Sequence, residues 1–137
     1  MKKHYYYPAV FYKCEEGGYC VDVAGMDGCV TQGENIEDAF YMAKDAIGLY
    51  LYDEIYEDRM PEPVDINSVE IEMYEGAVDA KVLIIDFQPE EYLRSIGEES
   101  VKKTLTIPKW LNSIGIKRGV NFSQILQEAL REKLGLN

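Results

Sequence analysis

Apolar and polar positions along the chain sort into alternating runs and three-to-four-residue repeats. "HYYYPAVFYK" (His4 to Lys13) and "GYCVDVAG" (Gly18 to Gly25) are rich in aromatic and β-branched residues, and the charged "CEEG" between them reads as a hairpin turn. A third short strand is expected at Cys29 to Thr31. Asn35 suits a helix N-cap, with Glu37 and Asp38 in the positive first turn. Ile36, Ala39, Phe40, Ala43, Ile47, Tyr50 and Leu51 then recur at helical spacing, which predicts one helix running to about Tyr56 with an apolar face that a sheet must cover. "MPEPVD" (Met60 to Asp65) breaks it, because proline cannot continue a helix. Val69, Ile71 and Met73 alternate with acids and "VLIIDF" follows as a more continuous run, so both read as strands, the second central in the sheet. Pro89 and Gly97 bracket a short helical turn or linker (about 88–99), and the domain boundary falls near Glu98.

From Ser100 the pattern is strand, helix, helix in under forty residues. Lys103, Leu105 and Ile107 take one face of the strand, and Lys102, Thr104 and Thr106 the other. Pro108 fits the first helical position. Trp110, Leu111 and Ile114 make a short apolar stripe. Asn121 and Gln124 have the spacing of a capping box that opens a second helix, with Ile125, Leu126, Ala129, Leu130 and Leu134 on its inner face and Gly135 as its stop. One strand and two helices in this length cannot bury a core, since units below roughly 40 residues need a metal, disulfides or a second chain.

Composition narrows that choice. Three cysteines, Cys14, Cys20 and Cys29, are an odd number at spacings that match no usual zinc site, and His4 is the single histidine. They read as reduced, buried thiols of a cytoplasmic protein, with no metal and no cofactor. "MKKHYYYPAVFYKCEE" has neither the apolar run nor the cleavage site of a signal peptide, and no membrane span is expected. A second copy of the same unit is what remains: two strands pairing antiparallel across a two-fold axis, with Leu105, Ile107, Trp110, Leu126 and Leu130 as the shared core.

Charge adds a second division. The net charge is −11, but residues 100–137 carry seven Lys/Arg against two Glu, a net of +5, which leaves −16 on residues 1–99. Such a split points to two partners of opposite charge.

"KKTLTIPKWL…GVNFSQILQEAL" resembles the ribbon–helix–helix fold in order, length and the placement of Pro108 and Asn121. A two-stranded ribbon fits the DNA major groove, so Lys102, Thr104 and Thr106 would meet base edges. Asn121, Phe122 and Ser123, at a helix N-terminus, would hold a phosphate on each side.

The first region resembles the HicB family of antitoxins. "YCVDVAGMDGCVTQGENIEDAFYMAKDAI" followed by "PEPVD" supplies Asp22, Gly28, Cys29, Thr31, Gly33, Glu34, Glu37, Ala39, Pro61 and Pro63 at the family's positions, although "VAGMDGC" stands where the family usually has Leu-Pro-Gly before the cysteine. The resemblance implies an α+β chain: a partial RNase H-like sheet with a covering helix over 1–98, and a ribbon–helix–helix over 99–137. It implies further an antitoxin, not an enzyme, whose partners are a small basic HicA-like toxin that cuts mRNA and operator double-stranded DNA. The homodimer, or a higher oligomer, forms through the tail. Residues 1–98 would cover the toxin, through contacts the sequence leaves unknown. Two other readings stay open. A live metal-dependent nuclease would need three or four carboxylates converging on two ions about 4 Å apart, for which Asp22, Asp27, Asp45 and Asp86 are the candidates. A ribbon–helix–helix repressor with a ligand-sensing first domain is the other.

Overall fold

The computed structural model describes residues 2–97 and 99–136. The chain divides into two units, 1–98 and 99–137; Glu98, where the sequence places the boundary, lies outside the described residues.

In the first unit β1 (Tyr5–Cys14), β2 (Tyr19–Val23), β3 (Val30–Gly33) and β4 (Ala77–Phe87) form one antiparallel sheet in the order β3-β2-β1-β4. Alternation along β1 sends Tyr5, Tyr7, Ala9 and Phe11 to one face, where they meet Val21 and Val23 of β2 and Ile85 and Phe87 of β4. α1 (Ile36–Tyr50) covers this face with Ala39, Ala43 and Ile47, all fully buried. Its start follows from the capping chemistry: Asn35 Oδ1 accepts from the Asp38 N–H at 2.8 Å, and Asp38 Oδ2 accepts from the Glu34 N–H at 2.8 Å. Close approach of β3 to α1 requires Gly33, where a Cβ would lie 2.4 Å from the Ala39 nitrogen.

The expected single helix to Tyr56 is two helices. Leu51 leaves the helical well (φ −102°, ψ 20°) although its N–H still bonds Ile47 O, and α2 (Tyr52–Tyr56) follows. The bend keeps Leu51 and Ile55 both buried, while Ile36 and Tyr50, expected on the apolar face, stay exposed.

Two strand expectations fail for identifiable reasons. β4 is an edge strand, paired with β1 alone, rather than a central one. Its continuous apolar run divides between the core (Ile85, Phe87) and the opposite face, where Ile84 is 40% exposed. The segment Val69–Met73 forms no ladder. It is tied to the sheet instead by the Glu72 N–H donating to the Tyr12 hydroxyl at 3.2 Å and by the Tyr74 ring tilted against Tyr12 at 5.1 Å, with Ile71 and Met73 exposed. Through these contacts the run after α2 covers Tyr12 on the second sheet face, and Tyr7 donates its hydroxyl to Pro61 O at 2.7 Å. The long β4 edge is blunted: its register slips between Lys13 and Cys14, and Asp79 Oδ1 accepts from the Ala80 N–H at 2.9 Å. A bulge and a local side-chain cap of this kind discourage further strand pairing. α3 (Pro89–Ile96) closes the unit with Pro89 at its first turn and Gly97 as its cap, as the sequence predicts.

The second unit contains α4 (Lys109–Lys117) and α5 (Phe122–Leu134). Pro108 is the N-cap of α4, one residue earlier in the helix scheme than expected. Gly135 ends α5 in the left-handed region at φ 70°. Among the described residues no helix is long and apolar enough to cross a membrane.

Candidate functional site

Each candidate site residue of the tail lies in or next to the two-helix hairpin. Asn121 caps α5, its Oδ1 accepting from the Gln124 N–H at 3.0 Å. The reciprocal half of the expected capping box is absent, because the Gln124 amide donates to Glu128 Oε1 at 3.2 Å instead. Phe122 and Ser123 occupy the first turn, where backbone N–H groups lack intrahelical partners. The turn between the helices is tight: Phe122 lies over Gly115, where a Cβ would come within 2.6 Å of its Cζ.

Residues 99–107 precede α4 without forming a strand in the single chain. A strand is recognised by its partner, and among the described residues no ladder includes this run. Lys102, Thr104 and Thr106 are exposed, and so are the apolar residues between and beyond them. Leu105 is 53% exposed and Trp110 66%, with Ile107, Leu111, Ile114, Ile125 and Leu130 likewise open and Leu126 half-buried. No described residue of 99–136 is buried. By contrast fifteen of the described residues of the first unit pack into one buried apolar cluster. A helical hairpin that leaves this much apolar side chain in water is incomplete by itself, since such patches mark contact surfaces.

On the first unit the four carboxylates considered for metal chemistry fall in three places. Asp22 and Asp27 line a groove of about 440 Å³ with Val10, Val30, Val64, Ser68 and Glu70. Burial, then the charges of Asp27 and Glu72, push the Asp22 carboxyl above its ordinary value. Asp86 instead meets His4, whose Nδ1 lies 2.7 Å from its Oδ1, and Asp45 lines a separate pocket with Tyr41, Phe87 and Tyr92. Asp22 pairs with Val10 and Asp86 with Tyr6, four residues apart on β1, or about 13 Å at roughly 3.3 Å per residue. Among the described residues no group of three or more His, Cys, Asp or Glu could hold a metal ion.

The loop "VAGMDGC" folds as successive turns: Met26 N–H bonds Val23 O, Cys29 N–H bonds Met26 O, and Gly25 and Gly28 take φ of 78° and 81°. It buries Met26 and Cys29 in the core. Burial, with Asp22 nearby, raises the Cys29 thiol to about 11, so it stays protonated and inert. Cys14 and Cys20 are only half-buried, with their sulfurs 3.6 Å apart. Their proximity was missed in the sequence, though the hairpin alone could have signalled it: with the turn at "CEEG", both fall on one face.

Comparison with known proteins places these surfaces in context. The family described as HicB_like antitoxin of bacterial toxin-antitoxin system matches residues 7–114. Antitoxin HicB of Escherichia coli K12 is 32% identical over 104 residues, covering 67% of this chain and 72% of that protein. A chain of the toxin–antitoxin complex from Streptococcus pneumoniae aligns at TM-score 0.58 and 32% identity, over 95% of this chain and 99% of that one. Antitoxin HicB of Burkholderia pseudomallei aligns at TM-score 0.48 and 22% identity, over 96% of this chain and 97% of that one.

Proposed function

Because this chain belongs to the HicB-like antitoxin family of bacterial toxin–antitoxin systems, we propose that residues 1–98 bind and occlude a HicA-like mRNA-cleaving toxin while residues 99–137 repress the antitoxin's own operon. The protein works in the cytoplasm, without a cofactor and without enzymatic activity of its own. The first unit is read as a partial RNase H-like fold, its four-stranded antiparallel sheet covered by α1. The tail is read as half of a ribbon–helix–helix.

One observation carries the proposal for the tail: none of its described residues is buried in the single chain, while Leu105, Ile107, Trp110 and Leu130 stand in water. Pairing with a second copy gives the 102–107 run a strand partner and covers those side chains. It sets Lys102, Thr104 and Thr106 of both copies on one polar face, sized for a major groove. Asn121, Phe122 and Ser123 flank that face as phosphate anchors. The +5 charge of residues 100–137 supports contact with DNA, and the −16 of residues 1–99 supports contact with a basic, RNA-handling toxin.

The same charge split has a regulatory consequence. The acidic unit repels DNA at long range, and a bound basic toxin neutralises it, so the toxin–antitoxin complex holds the operator more tightly than the antitoxin alone.

Co-expression with the neighbouring gene product, followed by sizing and a mobility-shift assay on the upstream DNA, tests the whole reading. A symmetric dimer carries each reading residue twice. At about 1 kcal/mol or more per base contact, Lys102→Ala or Thr104→Ala therefore lowers operator affinity by roughly 30-fold or more and leaves toxin neutralisation intact. Unchanged operator binding in both variants rejects the assignment of the reading face, and equal operator affinities with and without toxin across salt concentrations reject the charge mechanism.

A further inference from the structure

We infer that Cys14 and Cys20 are a hydroperoxide-sensitive dithiol that closes to a reversible intrachain disulfide, while Cys29 stays out of the reaction. The hairpin geometry brings the two together. Lys13 pairs with Tyr19 and Tyr12 with Cys20, and the Cys14 N–H bonds Gly18 O, so Cys14 and Cys20 are diagonal neighbours on one sheet face. Their sulfurs lie 3.6 Å apart, in contact but unbonded. Closing to the roughly 2.05 Å of a disulfide takes a shift of about 1.5 Å. The β1–β4 register slips between Lys13 and Cys14, next to the turn, so Cys14 stands at the irregular end of its ladder.

Access distinguishes this pair from the third cysteine. Cys14 and Cys20 are half-buried and line an open groove of about 570 Å³ with Gly17, Gly18, Tyr19 and Gln32. Cys29 is sealed in the core. Tyr74, from the segment that covers this sheet face, places its hydroxyl 3.9 Å from the Cys14 sulfur. Movement of the Cys14 sulfur toward Cys20 alters that contact, in which either group can donate.

The chemistry balances with a hydroperoxide, ROOH, as the two-electron oxidant. One sulfur attacks the terminal peroxide oxygen, the O–O bond breaks and ROH leaves, which makes a sulfenic acid. The second sulfur attacks the first, the S–S bond forms, and the departing hydroxide leaves as water with the second thiol's proton. Two thiols and ROOH give one disulfide, ROH and water. In a reducing cytoplasm the product is transient and thiol-reversible.

The test uses the full-length protein, reduced, treated with hydrogen peroxide in small molar excess and then unfolded for thiol counting and intact-mass measurement. The expected result is that two of the three thiols are lost, the mass falls by two hydrogens, peptide mapping links Cys14 to Cys20, and dithiothreitol restores all three. In Cys14→Ser the two-hydrogen loss disappears. The inference is overturned if all three thiols survive in the wild type, if the link is intermolecular, or if Cys14→Ser still loses two hydrogens, which would place the bond at Cys20–Cys29.

Discussion

Ile47→Ala tests whether the two units carry independent cores. Ile47 is fully buried on α1, over the sheet face that carries Tyr7, Ile85 and Phe87. Removing three carbons there loses their transfer free energy and leaves a cavity against a rigid sheet, a loss of about 2–5 kcal/mol. For a unit near 100 residues each kcal/mol moves the midpoint by roughly 4–8 °C, so a loss of about 3 kcal/mol lowers it by roughly 12–24 °C. The chain supplies its own probes. All eleven tyrosines lie within residues 1–98, and the single tryptophan, Trp110, lies in the tail. Near-ultraviolet tyrosine signal and Trp110 fluorescence, followed through one thermal or urea titration, therefore report the units separately. The expected outcome is an early tyrosine transition in the variant with the Trp110 transition unmoved, and operator binding retained at temperatures where toxin neutralisation is lost. If both probes shift together by the same amount, the reasoning fails; if neither moves, Ile47 is not the packing residue described.

Two further outcomes follow from single groups. The Asp22 carboxyl has a folded-state pKa above its ordinary value, so its ionised form weighs against the fold. Stability from this group is complete below the ordinary carboxylate range and is lost as pH rises through the raised value. Asp22→Asn therefore melts higher than wild type at pH 7 and equal to it near pH 3, measured by tyrosine signal; an equal gap at both pH values excludes this cause. Tyr7→Phe removes the hydroxyl that donates to Pro61 O at 2.7 Å and costs about 0.5–1.5 kcal/mol, read as a lower urea midpoint with unchanged slope; no change would show that this bond does not tether the segment.

The periodic elements were legible in the sequence because their patterns state a local physical fact. β1 and β2 alternate around a charged turn, and α1 and α5 announce themselves by an asparagine cap and apolar residues every three or four positions. Where the sequence misled, the deciding fact was non-local. "VLIIDF" is apolar enough for a central strand, yet hydrophobicity reports burial and not how many neighbours a strand has, and β4 has one. Val69, Ile71 and Met73 alternate with acids as a strand would, but alternation does not create a partner, and the Tyr12 side chain holds the segment instead. Leu51 is a good helix former, and nothing local foretells the bend that keeps Leu51 and Ile55 in the core.

The candidate sites divide along the same line. Asn121 as a cap, and the exposure of Lys102, Thr104 and Thr106, could be read from spacing. Whether Asp22, Asp27, Asp45 and Asp86 converge could not, because convergence depends on strand order and register. The contact between Cys14 and Cys20 was within reach of the sequence once the hairpin turn was placed, since two residues flanking a turn at that separation share a face.

The central claim is that residues 99–137 acquire a core only when two copies share it. Circular dichroism of the isolated 99–137 segment, recorded from high micromolar concentration down to nanomolar alongside sedimentation, measures this directly. The account predicts helix content that falls on dilution in step with loss of the dimer mass. A helical, cooperatively melting monomer whose signal does not change with concentration would contradict it.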